Sequence, residues 1–228
     1  MRHIIEDLGI ADVDVIGYSG ALATLSRGGK QEHPVVDVRL SSGVALSILE
    51  RALDAGIACW WYSGDRWYVR AEDEIARYEA GLTHMSPIPM GDDSLPAPHK
   101  LLATGIPGTV RPQLEALRDH AVAMGASSQF SNPHSLEIVA EGVSKAVALQ
   151  RLTEARGISL SDVVAIGDGP NDAEMLRVAG YAVAMANAAP ETVDVADGVT
   201  GTNDEDGVAG AIERLGLNHS RSIDTHPA

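Results

Sequence analysis

Short apolar runs alternate along the chain with longer stretches in which apolar residues recur every three or four positions. The short runs predict buried β-strands, and the longer stretches predict amphipathic helices. Strands are predicted at residues 13–18, 35–40, 57–62, 100–104, 163–166 and 181–185, and helices at 42–55, 110–124, 145–156, 173–179 and 206–215. This alternation is typical of an α/β fold.

The order of these elements divides the chain into parts. From about residue 141, strand and helix alternate strictly, which predicts a parallel, doubly wound sheet with helices on both faces. The middle of the chain instead carries a hairpin signal, SGDR at 63–66, which indicates a separate α+β unit. We expect a first segment at 1–25, the α+β unit at 26–130, the second part of the main domain at 131–217 and a disordered tail at 218–228.

Composition and charge exclude several classes of partner. Lys and Arg number 17 against 32 Asp and Glu, so the formal net charge of -15 would repel a nucleic-acid backbone. No apolar run reaches the roughly 18 residues of a membrane span, and the N-terminus lacks the pattern of a secretory signal. The single cysteine, Cys59, lies in an apolar run, which indicates a buried thiol. These features predict a cytoplasmic protein.

The segment VVAIGDGPNDAEM combines a buried strand with two acidic residues. Asp168 stands between Gly167 and Gly169 directly after the strand, at the edge where open α/β sheets bind ligands. Asp172 follows four residues later, in the first turn of a helix. Two carboxylates at one loop suit Mg²⁺, which prefers oxygen ligands, and the glycines allow a close approach of the backbone.

Helix capping offers an alternative interpretation of part of this segment. If the helix starts at Asn171, that residue and Glu174 have the spacing of a capping box. The helix N-terminus would also stabilise the charge of Asp172 without any metal. Capping does not explain Asp168, so we favour a metal site there.

Lys145 is placed unusually for a cation. It falls in the first helical turn after Ser144, the predicted N-cap, where it opposes the helix dipole by up to about 1 kcal/mol. A solvent-exposed lysine is one interpretation. Because the Asp168 loop follows one strand–helix unit later, we favour a role in binding an anion.

Two stretches of the chain carry a family resemblance. The segments GVSKAVALQRL and VVAIGDGPNDAEMLRVAGYAVAMANA, followed by ADGVT and NDEDGVA, resemble the C-terminal half of Cof-type phosphatases of the haloacid dehalogenase superfamily, over about 134–215. Earlier, VIGYSGALA resembles the point where the family's core passes into its cap, with Ser19 in the place of the usual Asn and Gly20 after it. The resemblance implies a Rossmann-like core with an inserted α+β cap.

The resemblance also implies a chemistry and roles for individual residues. It implies an Mg²⁺-dependent phosphatase of small phosphorylated metabolites, such as sugar phosphates, which works through an aspartyl-phosphate. Lys145 would neutralise the phosphoryl group, Asp168 and Asp172 would hold the metal, and Asn171 would orient groups around them. Phosphoryl transfer depends mainly on positioning and charge stabilisation, which agrees with these roles. Supporting residues are Gly167, Gly169 and Ser144.

The motif that would supply the nucleophile does not occur in the sequence. The resemblance calls for Asp-x-Asp-Gly-Thr at the end of the first core strand, and for a Thr or Ser after the second. Asp12-Val13-Asp14 has the Asp-x-Asp spacing, but it precedes an apolar run and lacks Gly-Thr. We expect a first strand–helix segment of about 30 residues to be missing and the chain to be inactive as given. The alternative is a non-catalytic module that binds Mg²⁺ and phosphate.

An aromatic cluster lies at the hairpin signal. It holds Trp60, Trp61, Tyr62, Trp67 and Tyr68. These rings could stack on a sugar or a flavin-like ring of a substrate. Aromatic pairs across a hairpin more often build a sheet, which is the interpretation that we favour. Arg39, Arg66 and Lys100 could contact an anionic substrate.

Overall fold

The computed structural model describes residues 9, 12–28, 30–91 and 95–217. The chain forms two compact units, Met1–Leu160 and Ser161–Ala228. The predicted tail at 218–228 lies outside the described residues. Among the described helices, none has the length and apolar character that crossing a membrane requires.

The first unit begins with a small antiparallel sheet of three strands. These are β1 (Val15–Gly17), β2 (Leu22–Arg27) and β3 (Lys30–Asp37). A single 3-10 turn, Tyr18–Gly20, joins β1 to β2. It is called the core-to-cap turn below, after the place that the resemblance implies for it. Strand β2 was not predicted and β3 begins earlier than predicted, because polar residues and a proline interrupt the apolar pattern of both strands.

A larger, six-stranded sheet occupies the rest of the first unit. Its strands lie in the order β6-β5-β4-β7-β9-β8, and every pair is antiparallel except β5 and β6. They are β4 (Ala58–Ser63), β5 (Arg66–Val69), β6 (Ile88–Pro89), β7 (Lys100–Thr104), β8 (Ala126–Asn132) and β9 (Ser135–Ala140). The predicted hairpin at 63–66 is confirmed by the pairing of Ser63 with Arg66. The boundary predicted at 130 cuts through β8, so the sheet of the middle unit extends to Ala140.

Two helices cover one face of this sheet. The helices of the first unit are α1 (Ser42–Asp54), α2 (Glu74–Thr83), α3 (Arg111–Ala123) and α4 (Lys145–Arg156). The core under α1 and α3 includes Ile48, Leu114, Trp61, Leu101 and Ile138. Burying these side chains is the main force that holds the helices on the sheet.

The opposite face of the sheet holds most of the aromatic cluster. Trp60, Tyr62 and Trp67 pack with Val69 and with Ala76 of α2. Their exposed fractions are only 3%, 8% and 1%, respectively. These rings build the sheet, as we favoured, and they are too deeply buried to stack on a substrate.

The second unit is a parallel α/β sheet. Its strands β10 (Val164–Gly167), β11 (Tyr181–Ala184) and β12 (Gly198–Val199) lie in that order and run parallel. Its helices are α5 (Ala173–Val178), α6 (Pro190–Val193) and α7 (Gly207–Arg214). The strict alternation of strand and helix and the parallel pairing that the sequence predicts are therefore confirmed over this unit.

Candidate functional site

Asp168 lies where the sequence placed it, at the carboxyl end of a parallel strand. Strand β10 ends at Gly167, and Asp168 follows it with an exposed position. The loop is held on both sides, because Met185 N–H donates to the Gly167 carbonyl (3.0 Å) and Ala189 N–H donates to the Asp168 carbonyl (2.9 Å). The backbone that carries this carboxylate is therefore fixed by the neighbouring strand and by the residue before α6.

Asp172 is buried beneath the same loop, with an exposed fraction of 5%. Its Oδ2 accepts hydrogen bonds from the N–H groups of Asp168 (3.1 Å) and Gly169 (3.0 Å). The predicted helix start at Asn171 is wrong, because Pro170–Asp172 forms a 3-10 turn and α5 begins at Ala173. The carboxylate that caps the loop backbone belongs to Asp172, and no side chain caps the start of α5.

Gly167 and Gly169 make room for the side chains of their own loop. A Cβ on Gly167 would lie 2.5 Å from the Cβ of Asp172, and one on Gly169 would lie 2.6 Å from Oδ1 of Asn171. Real Cβ atoms essentially never approach other heavy atoms this closely. In the structure, the absence of a Cβ at Gly167 and Gly169 lets Asp172 and Asn171 fold back against the loop.

Thr192 is a supporting residue that the sequence analysis missed. Its side chain is buried in α6, and its hydroxyl donates to the Gly169 carbonyl (2.8 Å). One threonine in a helix of four residues, 23 positions from its partner, gives no periodic signal. Only the folded chain shows that it holds the Asp168 loop.

The other predicted residues come together in the first unit. Ser144 caps α4 as predicted, and its Oγ accepts a hydrogen bond from Val147 N–H (3.3 Å). Gly20 has φ +102°, and a Cβ there would lie 2.2 Å from the Ser144 carbonyl oxygen and 3.0 Å from Lys145 N. The core-to-cap turn therefore packs directly on the residues that begin α4.

Ser19 connects this turn to a charged pair. Its hydroxyl donates to the Glu137 carboxylate, which also accepts from Lys100 Nζ (3.0 Å). Burial raises the pKa of Glu137, but the charge of Lys100, the Ser19 hydroxyl and the more distant charge of Lys145 together hold it below its usual value. The sequence analysis missed Glu137, because an acidic residue alternating with apolar ones is an ordinary strand pattern. Lys100 was a candidate for contacting an anionic substrate, and in the structure its partner is Glu137.

Tyr18 anchors the same turn to a buried histidine. Its ring stacks on His99 at 5.3 Å between centroids, and its hydroxyl donates to the Gly64 carbonyl. His99 Nδ1 accepts from Gly64 N–H (3.1 Å), and Nε2 lies 3.0 Å from Asp37 Oδ1. This arrangement fits a neutral ring that is protonated on Nε2. Burial lowers the pKa of His99, and the Arg39 guanidinium lowers it further, against the opposing effect of Asp37.

We expect His99 to make the stability of the chain depend on pH. Its pKa is near 6.5 when unfolded and lower when folded, so unfolding takes up a proton. This contribution is fully present above about pH 6.5 and is lost as the pH falls through the folded-state pKa. Urea unfolding should show a lower free energy of unfolding at pH 5.5 than at pH 7.5. His99→Gln should reduce this loss and exposed His84→Gln should not; an equal loss in both variants would contradict the assignment.

The Asp168 loop has a donor set that suits Mg²⁺. Among the residues that the structure describes, no three His, Cys, Asp or Glu side chains are grouped so as to hold a metal. Mg²⁺ commonly takes one or two protein carboxylates and completes its shell with water and a substrate phosphate. Asp168 and Asp172 supply such carboxylates at one loop, so they are the residues that would hold it.

Comparisons with known proteins agree with this geometry. A family model described as haloacid dehalogenase-like hydrolase matches residues 1–212. The chain is 46% identical over 82 residues to the 5-amino-6-(5-phospho-D-ribitylamino)uracil phosphatase YcsE of Bacillus subtilis, covering 36% of this chain and 33% of the relative. It is 34% identical over 152 residues to a phosphoglycolate phosphatase of Methanothermobacter thermautotrophicus, covering 64% of this chain and 65% of the relative. The chain thus spans from one third to just under two thirds of the length of these two relatives.

Solved structures share the fold over nearly the whole chain. A haloacid dehalogenase-like hydrolase from Bacteroides thetaiotaomicron superposes with a TM-score of 0.78 at 29% identity, covering 94% of this chain and 81% of that one. The protein TM0651 from Thermotoga maritima superposes with a TM-score of 0.75 at 26% identity, covering 93% of this chain and 79% of that one. The predicted α/β fold is therefore confirmed.

Proposed function

Because the chain belongs to the haloacid dehalogenase-like hydrolase family, we propose that it supplies the metal-binding and phosphate-binding part of an Mg²⁺-dependent phosphatase of small phosphorylated metabolites. One observation carries the proposal: the Asp168 loop stands at the carboxyl end of β10 and is fixed by the buried carboxylate of Asp172. A rigid carboxylate loop at this edge needs little rearrangement to bind a charged ligand, which favours catalysis by electrostatic stabilisation.

Each residue would have a distinct task. Mg²⁺, held by Asp168 and Asp172, would offset the charge of the phosphoryl oxygens. Lys145 would bind a phosphate group as a cation, and Asn171 would orient groups in the loop. Asp172 would also keep the loop closed through its bonds to two backbone N–H groups. These tasks concern position and charge, which dominate phosphoryl transfer.

The nucleophile would come from another aspartate. The resemblance calls for an aspartyl-phosphate on Asp-x-Asp-Gly-Thr, a motif that these 228 residues do not contain. Asp14 does not fit this role, because its carboxylate pairs with Arg156 and accepts from Ser26 N–H (2.7 Å). We therefore propose that the 228 residues by themselves bind the metal and phosphate but do not release phosphate from a substrate.

The class of substrate and the compartment are part of the same proposal. Two of the relatives are named as phosphatases of 5-amino-6-(5-phospho-D-ribitylamino)uracil and of phosphoglycolate, which are both small phosphate monoesters. We extend that class to this chain, with no nucleic-acid or membrane partner.

Burial raises the pKa of the Cys59 thiol to about 12, so it is an inert packing group, which agrees with a cytoplasmic protein.

Thermal unfolding tests the proposal on the chain itself. A ligand that binds only the folded state stabilises it by about 2.7 kcal/mol at 100 times its Kd, so millimolar Mg²⁺ with inorganic phosphate should raise the melting temperature by several degrees. Because the net charge of -15 attracts any cation, NaCl at matched ionic strength is the control. An equal shift with NaCl, or no shift at all, would contradict the proposal.

A further inference from the structure

Glu137 and Lys100 form an ion pair on the second face of the six-stranded sheet. Leu136 and Ile138, its neighbours in β9, lie in the core under α1 and α3, so Glu137 projects from the other face. Across the sheet it pairs with Leu102, which packs against the aromatic cluster of that face. The exposed side-chain fractions of Lys100 and Glu137 are 15% and 13%, so both charges are largely removed from water.

Glu137 holds a distant turn of the chain as well as its ion-pair partner Lys100. A largely buried ion pair is weak evidence for stability, because desolvation offsets much of the attraction between its charges. Here both carboxylate oxygens are occupied, since Oε1 accepts from Lys100 Nζ and Oε2 accepts from the Ser19 hydroxyl. The second bond ties the sheet to a turn 118 residues earlier in the chain.

That turn has a conformation that needs support. Tyr18 (φ 52°) and Ser19 (φ 58°) are consecutive non-glycine residues in the left-handed region, which side chains with a Cβ rarely adopt. The hydroxyl of Tyr18 is held by the Gly64 carbonyl, and the hydroxyl of Ser19 is held by Glu137. Gly20, the next residue, is in close contact with the backbone at the start of α4.

We propose that Glu137 is a positioning residue for Lys145. It holds Ser19, and through it the core-to-cap turn, against the first turn of α4. The consequence for phosphate binding rests on the proposed function, whereas the coupling between Glu137 and Lys145 is a property of the first unit alone. The lowered pKa of Glu137, to which Lys145 contributes, supports this coupling.

The lysine content of the chain makes the coupling measurable. Only three lysines occur in the sequence, Lys30, Lys100 and Lys145, so ¹³C-labelled lysine gives three side-chain Cε signals. A chemical shift responds to the charges and contacts around its side chain. Glu137→Gln should therefore shift the signals of Lys100 and Lys145.

Two further variants distinguish a positioning role of Glu137 from a general loss of stability. Glu141→Gln removes an exposed charge four residues before Lys145 and should leave the signals of Lys100 and Lys145 as in the wild type. Ser19→Ala keeps both charges of the ion pair, so it covers the case in which Glu137→Gln does not fold. It should shift the signal of Lys145 while leaving that of Lys100 in place. If the Lys145 signal is that of the wild type in both Glu137→Gln and Ser19→Ala, the proposal is overturned.

Inorganic phosphate with Mg²⁺, added to the same samples, distinguishes this proposal from the proposed function. A Lys145 signal that responds to Glu137→Gln but not to phosphate would retain the positioning role and contradict the phosphate-binding role. A signal that responds to phosphate but to neither variant would do the opposite. We expect the Lys145 signal to respond both to phosphate in the wild type and to Glu137→Gln.

Discussion

Asp168→Asn should lower the affinity of the chain for Mg²⁺ at least about tenfold, as measured by isothermal titration calorimetry. The substitution keeps the shape of the side chain and removes the charge that would bind the ion. Because Asp168 is exposed and its backbone is held by Met185 and Ala189, the fold should survive, with a change of about 0.5 kcal/mol or less in unfolding free energy without metal.

Asp162→Asn is the matched control for this experiment. Asp162 is another exposed carboxylate of the same unit, in the 3-10 turn before β10. Asp162→Asn changes the net charge equally, so its Mg²⁺ affinity should stay within about twofold of that of the wild type. An unchanged Mg²⁺ affinity in Asp168→Asn would contradict the metal assignment.

Gly20→Ala should cause a large loss of stability, about 3–5 kcal/mol. The residue has φ +102°, which L side chains rarely adopt, and its new Cβ would lie 2.2 Å from the Ser144 carbonyl oxygen. Because that neighbour is backbone, relief requires moving either the core-to-cap turn or the start of α4. Urea unfolding followed by circular dichroism measures the loss.

Gly142→Ala measures the cost of backbone strain in the absence of a steric clash. Gly142 also has positive φ (76°), but a Cβ there would meet nothing within 4 Å. It should therefore cost only about 1–2 kcal/mol, the penalty of the left-handed conformation. Equal losses in the two variants would contradict the close contact between the turn and α4.

The sequence predicted the residues that lie at the ends of regular elements. Asp168 follows an uninterrupted apolar strand, and Ser144 precedes a helix with the expected cap, so local patterns were sufficient to place both. The same patterns predicted the parallel pairing of the second unit. Local signals of this kind depend on neighbours within a few residues.

The sequence could not reveal contacts that join distant segments. Glu137 meets Ser19 across 118 residues, and Thr192 meets Gly169 across 23, with no periodicity to mark either pair. Strand β2 was missed for a related reason, because its stability comes from pairing with β1 and β3 rather than from an apolar pattern of its own. The partners of a loop or a strand are set by the topology.

The central claim is that Asp168 and Asp172 hold Mg²⁺. Locating the site where a divalent cation binds on this chain tests that claim most directly. Mn²⁺ uses the same oxygen ligands as Mg²⁺ and broadens the NMR signals of nearby amides. In the ¹⁵N-labelled chain, substoichiometric Mn²⁺ should broaden the amide signals within 167–172, where every residue except Pro170 has an N–H group, and excess Mg²⁺ should reverse the effect. Asp168→Asn should abolish it. Broadening centred instead on the exposed acidic segment Asn203–Glu205, or broadening of 167–172 that persists in Asp168→Asn, would contradict the account.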